Sequence, residues 1–178
     1  LTDWAWIIDI NLMGVVRGVE IFTPLIQSHG EGGHILNVAS MAGHHGAPTM
    51  GPYNATKFAV VGYSEALAPE LEPQGIGVSV LCPGFARTQI HASALNAPSR
   101  RSGSATADPA DAERMAFFTA LVEGGVSPDL VGEAAARGVE AGRLFIFTHP
   151  ELKALVEERS ARLLADYDAG IAALPGAQ

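Results

Sequence analysis

The sequence predicts an α/β fold, a parallel sheet of three strands with flanking helices. Three observations carry that prediction. Residues 34–39 (HILNVA) and 76–82 (IGVSVLC) are short apolar runs of the kind that form buried strands. Residues 53–71 between them read as a helix. Strand, helix and strand within about fifty residues make a βαβ unit, with parallel pairing and a right-handed crossover. Residues 143–148 (RLFIFT) repeat the strand pattern after a helical stretch at 128–141, which supplies the third strand.

In chain order, Thr2-Asp3 marks a helix start, and Trp6, Ile10, Met13 and Ile21 recur at a helical period to about residue 28. Gly30-Glu31-Gly32-Gly33 stops that helix. Pro69, inside the helix at 53–71, has no N–H and crowds the carbonyl of Glu65. The helix is therefore expected to kink there or to end its regular part near Ala68. Residues 88–108 show no periodicity and are rich in Ser, Ala, Gly and Pro. Long segments of that kind are lids or disordered insertions, and the position directly after a Pro-Gly turn favours a substrate lid. A last helix is expected over about 150–168, and the tail IAALPGAQ is expected to fray.

Composition narrows the function classes. At 178 residues with 48% hydrophobic content, the chain can bury a sizeable core as one domain. A formal net charge of −8 argues against a nucleic-acid or membrane-surface partner. One cysteine excludes a disulfide framework, no Cys/His cluster has metal spacing, and a reducing, cytoplasmic compartment fits. No apolar run approaches the ~20 residues that span a bilayer.

The most informative residues are Ser40, Tyr53 and Lys57. Tyr53 and Lys57 stand four apart on the predicted helix and so share one face. A free phenol has a pKa near ~10, and a depression of roughly three units corresponds to ~4 kcal/mol of differential interaction. A fixed ammonium beside the oxygen, shielded from water, can supply that. The expected result is a tyrosine able to exchange a proton with an alcohol or carbonyl. Ser40, thirteen residues upstream at a strand end, is placed to hold the substrate oxygen.

These residues resemble the short-chain dehydrogenase/reductase family, whose Tyr-x-x-x-Lys pair follows a serine at about this distance. Two more phrases match in order: Ile10-Asn11-Leu12-Met13-Gly14, and Pro83-Gly84-Phe85-Ala86-Arg87-Thr88. The resemblance implies the C-terminal part of a Rossmann-type doubly wound sheet, with residues 1–178 as one partial domain. It implies catalytic roles for Asn11, Ser40, Tyr53 and Lys57, Asn11 supporting a proton path through a water held by its backbone. Tyr53, Lys57, Pro83, Gly84 and Thr88 would contact the cofactor, NAD or NADP, with Lys57 on the ribose hydroxyls and Thr88 on the nicotinamide carboxamide. The substrate would be a small-molecule alcohol or ketone, and the intact protein a homodimer or homotetramer. The family's glycine-rich first turn and its Asn-Asn-Ala-Gly element do not occur here. The chain is therefore read as the C-terminal part of a longer enzyme, inactive alone; the alternative is a natural short form without the cofactor half.

Other residues have less specific signals. His44, His45 and His91 are read as pocket lining or solvated side chains rather than a metal site. Arg100 and Arg101 are read as lid charges. Ala47, Pro48, Met50, Phe85 and Ile90 tilt the site toward a substrate of limited polarity.

Overall fold

The computed structural model describes residues 1–103 and 109–174. Three parallel strands, β1 (Gly33–Val38), β2 (Ile76–Cys82) and β3 (Phe145–Phe147), form one sheet in the order β1-β2-β3. β1 runs in register from Gly33 opposite Ile76 to Val38 opposite Leu81, and Val80 to Cys82 pair with Phe145 to Phe147. The β-branched, apolar sequence of β2 suits this central place, because both of its faces are covered.

The helices are α1 (Thr2–Ile8), α2 (Gly14–His29), α3 (Gly51–Leu71), α4 (Pro98–Arg101), α5 (Pro109–Glu123), α6 (Pro128–Glu140) and α7 (Lys153–Ala172). Side-chain alternation along β2 divides the core. On one face, Val60 and Val61 of α3 close over Val80 and Cys82, while Leu67 and Leu71 close over Ile76 and Val78. On the other, Leu81 and Ile146 meet Ala135 of α6.

Five expectations are corrected. α1 and α2 follow one another through a π-helical turn (Asp9–Met13), and the apolar positions expected to face the core do not all do so. Ile10 and Ile21 are more than half exposed, whereas Leu12, Val15, Val19 and Ile26 pack inward. The wide turn shifts the helical phase, and the sequence is apolar on two faces. α3 continues through Pro69 to Leu71, followed by a 3-10 turn. Residues 90–101 are ordered as a 3-10 segment (Ile90–Asn96) and α4, while residues 104–108 of the expected lid lie outside the described residues. α5 was not expected from the sequence. α7 begins after a 3-10 turn and reaches Ala172, so the start of the tail is helical; residues 175–178 lie outside the described residues.

Among the described residues no helix is long and apolar enough to cross a membrane, and no group of three or more side chains is arranged to hold a metal ion.

Candidate active site

Ser40 stands two residues beyond β1, at the carboxyl edge of the sheet, where ligands bind in open parallel sheets. The Ala39 N–H donates to the Leu81 carbonyl (2.8 Å), which extends the pairing up to Ser40. The Ser40 hydroxyl caps a 3-10 turn (Met41–Gly43) by accepting from the Ala42 N–H at 3.1 Å. It also lies 3.4 Å from the Pro83 carbonyl, which accepts from the Met41 N–H at 2.9 Å. The loops after β1 and β2 are thus tied together at the site. Gly43 is required for this: a Cβ there would stand 2.7 Å from the Lys57 carbonyl and 2.8 Å from a Val61 methyl.

Tyr53 opens the first turn of α3, and Asn54 shapes the loop that brings it back to Ser40. The buried Asn54 amide donates to the carbonyls of Ala42 (2.8 Å) and His45 (2.9 Å), and its oxygen accepts from the Ala47 N–H (3.2 Å). One side chain therefore satisfies three backbone groups of the Ser40–Tyr53 loop. Sequence reasoning missed it; an asparagine one turn into a helix that follows a Gly/Pro loop was the available signal.

The Tyr53 phenol is largely buried, and burial holds its pKa above the ordinary value, opposed by the Ser40 hydroxyl. Burial also pulls the Lys57 ammonium below its usual range, with Cys82 acting the other way. Lys57 Nζ lies 5.7 Å from the centre of the Tyr53 ring and donates to the Val38 carbonyl at 3.0 Å. The expected depression of the phenol is therefore not what this chain alone produces. The cation faces the ring and a backbone carbonyl, and desolvation sets the direction of the shift. An ammonium has three N–H donors. With one on Val38, two remain for acceptors such as ribose hydroxyls.

Asn11 lies in the π-helical turn and donates from its side-chain amide to the Thr56 hydroxyl at 3.3 Å. Thr56 donates in turn to the Tyr53 carbonyl at 2.8 Å. Asn11 is thus joined to the helix that carries Tyr53 and Lys57. Single π-turns within α-helices are frequent at functional sites.

Pro83 and Gly84 follow β2 directly, and Thr88 is exposed, its hydroxyl accepting from the Ile90 N–H at 3.3 Å. A cleft of about 800 Å³ opens beside Tyr53. Trp6, Pro48, Met50, Phe85, Phe118 and Leu121 give it a mainly apolar wall. Asp3 links its far end: the carboxylate accepts from both the backbone N–H and the hydroxyl of Ser99 in α4. Arg100 lines this cleft, whereas Ile90 is exposed. His44 does not line it. Its Nε2 is 3.2 Å from Cys82 Sγ, its ring packs on Phe145 and Phe147, and burial lowers its pKa, with Arg159 adding to that. Burial pushes the Cys82 thiol up to about 12, so it is no nucleophile.

A family model described as short chain dehydrogenase matches residues 1–98. The CLA biosynthesis dehydrogenase/reductase of Lactiplantibacillus plantarum is 33% identical over 174 residues, covering 92% of this chain and 59% of the relative. The C alpha-dehydrogenase of a Sphingobium species is 33% identical over 156 residues, covering 88% and 50%. Among solved structures, a short chain dehydrogenase/reductase from Burkholderia phymatum in complex with NAD superposes with a TM-score of 0.87 at 32% identity, over 93% of this chain and 60% of that one. A short-chain dehydrogenase from Sphingobium yanoikuyae in complex with NADPH gives 0.58 at 25% identity, over 96% and 57%. The chain thus spans between half and three-fifths of the length of these relatives.

Proposed function

The chain belongs to the short-chain dehydrogenase family, and on that premise we propose that it is the catalytic part of an NAD(P)-dependent oxidoreductase acting on a secondary alcohol or carbonyl. The observation that carries this reading is the largely buried Tyr53 phenol under the influence of the Ser40 hydroxyl, with Lys57 Nζ 5.7 Å from the phenol ring and Pro83 against Ser40, at the carboxyl ends of two parallel strands. Two relatives were solved with NAD and with NADPH, which supports either cofactor.

The residues present fit the nicotinamide end of that cofactor. Lys57 has donors for the ribose hydroxyls, and Pro83, Gly84 and Thr88 border the same edge. No glycine-rich turn for the pyrophosphate occurs in the sequence. The nicotinamide, when bound, supplies or accepts the hydride. Tyr53 gives its proton to a carbonyl oxygen or takes one from an alcohol, and Ser40 holds that oxygen in place. Lys57 must turn from Val38 toward the cofactor and the phenol to bring the Tyr53 pKa down. Asn11 supports the proton path from the π-turn.

The substrate reading follows from the cleft. Its volume is within the ~300–1,000 Å³ of drug-sized pockets, and its apolar wall suits an alcohol or ketone with a sizeable apolar substituent. α4 and the 3-10 segment before it act as the lid, held to α1 through Asp3. The outward faces of α2 and α3 serve a homodimer or homotetramer in the intact protein; Ile21 and Leu25 of α2 are exposed, as is Ile10 in the π-helical turn before it. The same residues in a chain without a cofactor half would be catalytically incompetent, and the unpaired edge of β1 favours that second reading for the 178 residues by themselves.

The test is Tyr53→Phe in a longer protein that carries the glycine-rich half. General acid–base catalysis contributes about 10²–10⁴-fold, so turnover of ketone with NADPH or NADH should fall by at least the lower figure while cofactor affinity is retained. Turnover that survives in the variant removes Tyr53 from the acid/base role.

A further inference from the structure

His149 is the residue the sequence reading passed over. It follows β3 and is 7% exposed, a histidine far from Ser40 and Tyr53 in sequence. Its imidazole is engaged at both nitrogens. Nδ1 accepts from the Gly84 N–H at 3.0 Å and lies 2.8 Å from the Thr148 hydroxyl. Nε2 is 3.0 Å from the Phe85 carbonyl. A backbone N–H only donates and a carbonyl only accepts, so these partners select the neutral imidazole with its proton on Nε2.

The Phe85 carbonyl is also the acceptor for the Val126 N–H (3.0 Å), and the Arg87 N–H donates to the Val126 carbonyl (3.0 Å), a short parallel bridge between Ala86 and Val126. The turn after β2 is therefore gripped from two sides, by the segment before α6 and by His149, two residues beyond β3. The grip is close. A Cβ at Gly84 would stand 2.7 Å from a Leu152 methyl and 2.8 Å from the His149 ring, so glycine is required there for packing. Imidazole geometry matters more than bulk. An apolar ring of the same size would leave the Gly84 N–H without its acceptor in a partly buried place, where a lost partner is costly.

We infer that His149 is a positioning residue: its imidazole fixes the Pro83-Gly84-Phe85 backbone in the conformation that receives the nicotinamide end of the cofactor. Its consequence for cofactor binding rests on the proposed function, but the fixing itself does not. The two are separable by experiment.

Hydrogen–deuterium exchange of the 178-residue chain, followed by mass spectrometry, reads the turn directly and tolerates self-association. Two peptides are compared in the parent chain, His149→Phe and His149→Asn: residues 82–88, and residues 76–81 of β2. In His149→Phe the turn should exchange about tenfold faster, the scale of one lost hydrogen bond of ~1.4 kcal/mol, while β2 is unchanged. Asn places a carbonyl oxygen near the position of Nδ1, so His149→Asn should recover most of the protection. Faster exchange in both peptides would make His149 an ordinary core residue and overturn the inference. So would a turn in His149→Phe that exchanges as in the parent, or a His149→Asn variant no better than His149→Phe. If the exchange result holds while the Tyr53 test fails, the turn is fixed by His149 but the chemistry assigned to the site is wrong.

Discussion

At the scale of single residues, the site is organised by side chains that serve the backbone. Ser40 and Tyr53 are thirteen residues apart, and a chain of that length has no intrinsic reason to fold back on itself. Asn54 supplies one by satisfying three backbone groups between Ala42 and Ala47. Asn54→Ala removes all three partners at a buried position. Each net hydrogen bond contributes about 1 kcal/mol, so a loss of roughly 2–3 kcal/mol in urea-induced unfolding is expected, with early proteolytic cleavage between Met41 and Met50. A change below about 0.5 kcal/mol would show that water replaces the amide at no cost. Lys57 illustrates a different point. A cation four residues from a phenol signals proton transfer in the sequence, but the distance and burial decide the sign. Here the ammonium is occupied by Val38 and the phenol is shifted upward.

At the scale of elements, the helices and strands around the site were largely legible, because apolar runs and turn residues are local signals. The strands at β1 and β2 differ from expectation by at most a residue, since an apolar run and glycine immediately before it define each of them. What was not legible was long-range or compensated. The inward face of α2 depends on the phase set by the π-turn at Asn11, and no periodicity in the sequence marks that turn. The grip of His149 on Gly84 joins positions 65 apart in the chain. α3 was expected to falter at Pro69, yet it continues, because Leu67 and Leu71 on either side are buried in the core and hold the helix. Pro69 itself is exposed. Replacing it with Ala restores the missing N–H and removes the crowding at Glu65, at the loss of some rigidity in the unfolded chain. Pro69→Ala should therefore stabilise the chain by about 1–2 kcal/mol, seen as a higher thermal midpoint. An unchanged or lower midpoint would mean that the helix has already relaxed around the proline.

At the scale of the whole molecule, the central strand β2 is covered on both faces, but the outer edge of β1 is unpaired among the described residues. Beside that edge runs a groove of about 470 Å³, lined by Val15, Val19, Phe22, Ile26 and Ile35. Phe22 is 59% exposed and Val38 49%. An unpaired strand edge next to apolar side chains is a template for another strand. In the solved relative from Burkholderia phymatum this chain accounts for 60% of the length, so the matching enzyme has chain to spare for such a place. For the 178 residues by themselves, open-ended self-association is expected at micromolar concentrations, together with negligible NADH or NADPH oxidation in the presence of ketones. Sedimentation velocity over a dilution series should show a broad distribution that grows with concentration. Phe22→Glu places a charge in the groove while leaving Ser40, Tyr53 and Lys57 untouched, and it should shift the distribution toward monomer. The outward stripe of Ile10, Ile21 and Leu25 makes a contrasting prediction, since association through it alone would give a discrete dimer insensitive to Phe22→Glu. A chain that stays monomeric across the series, or that turns over cofactor at the rate of an ordinary enzyme, would show that the open edge is tolerated and that the site works without a second half.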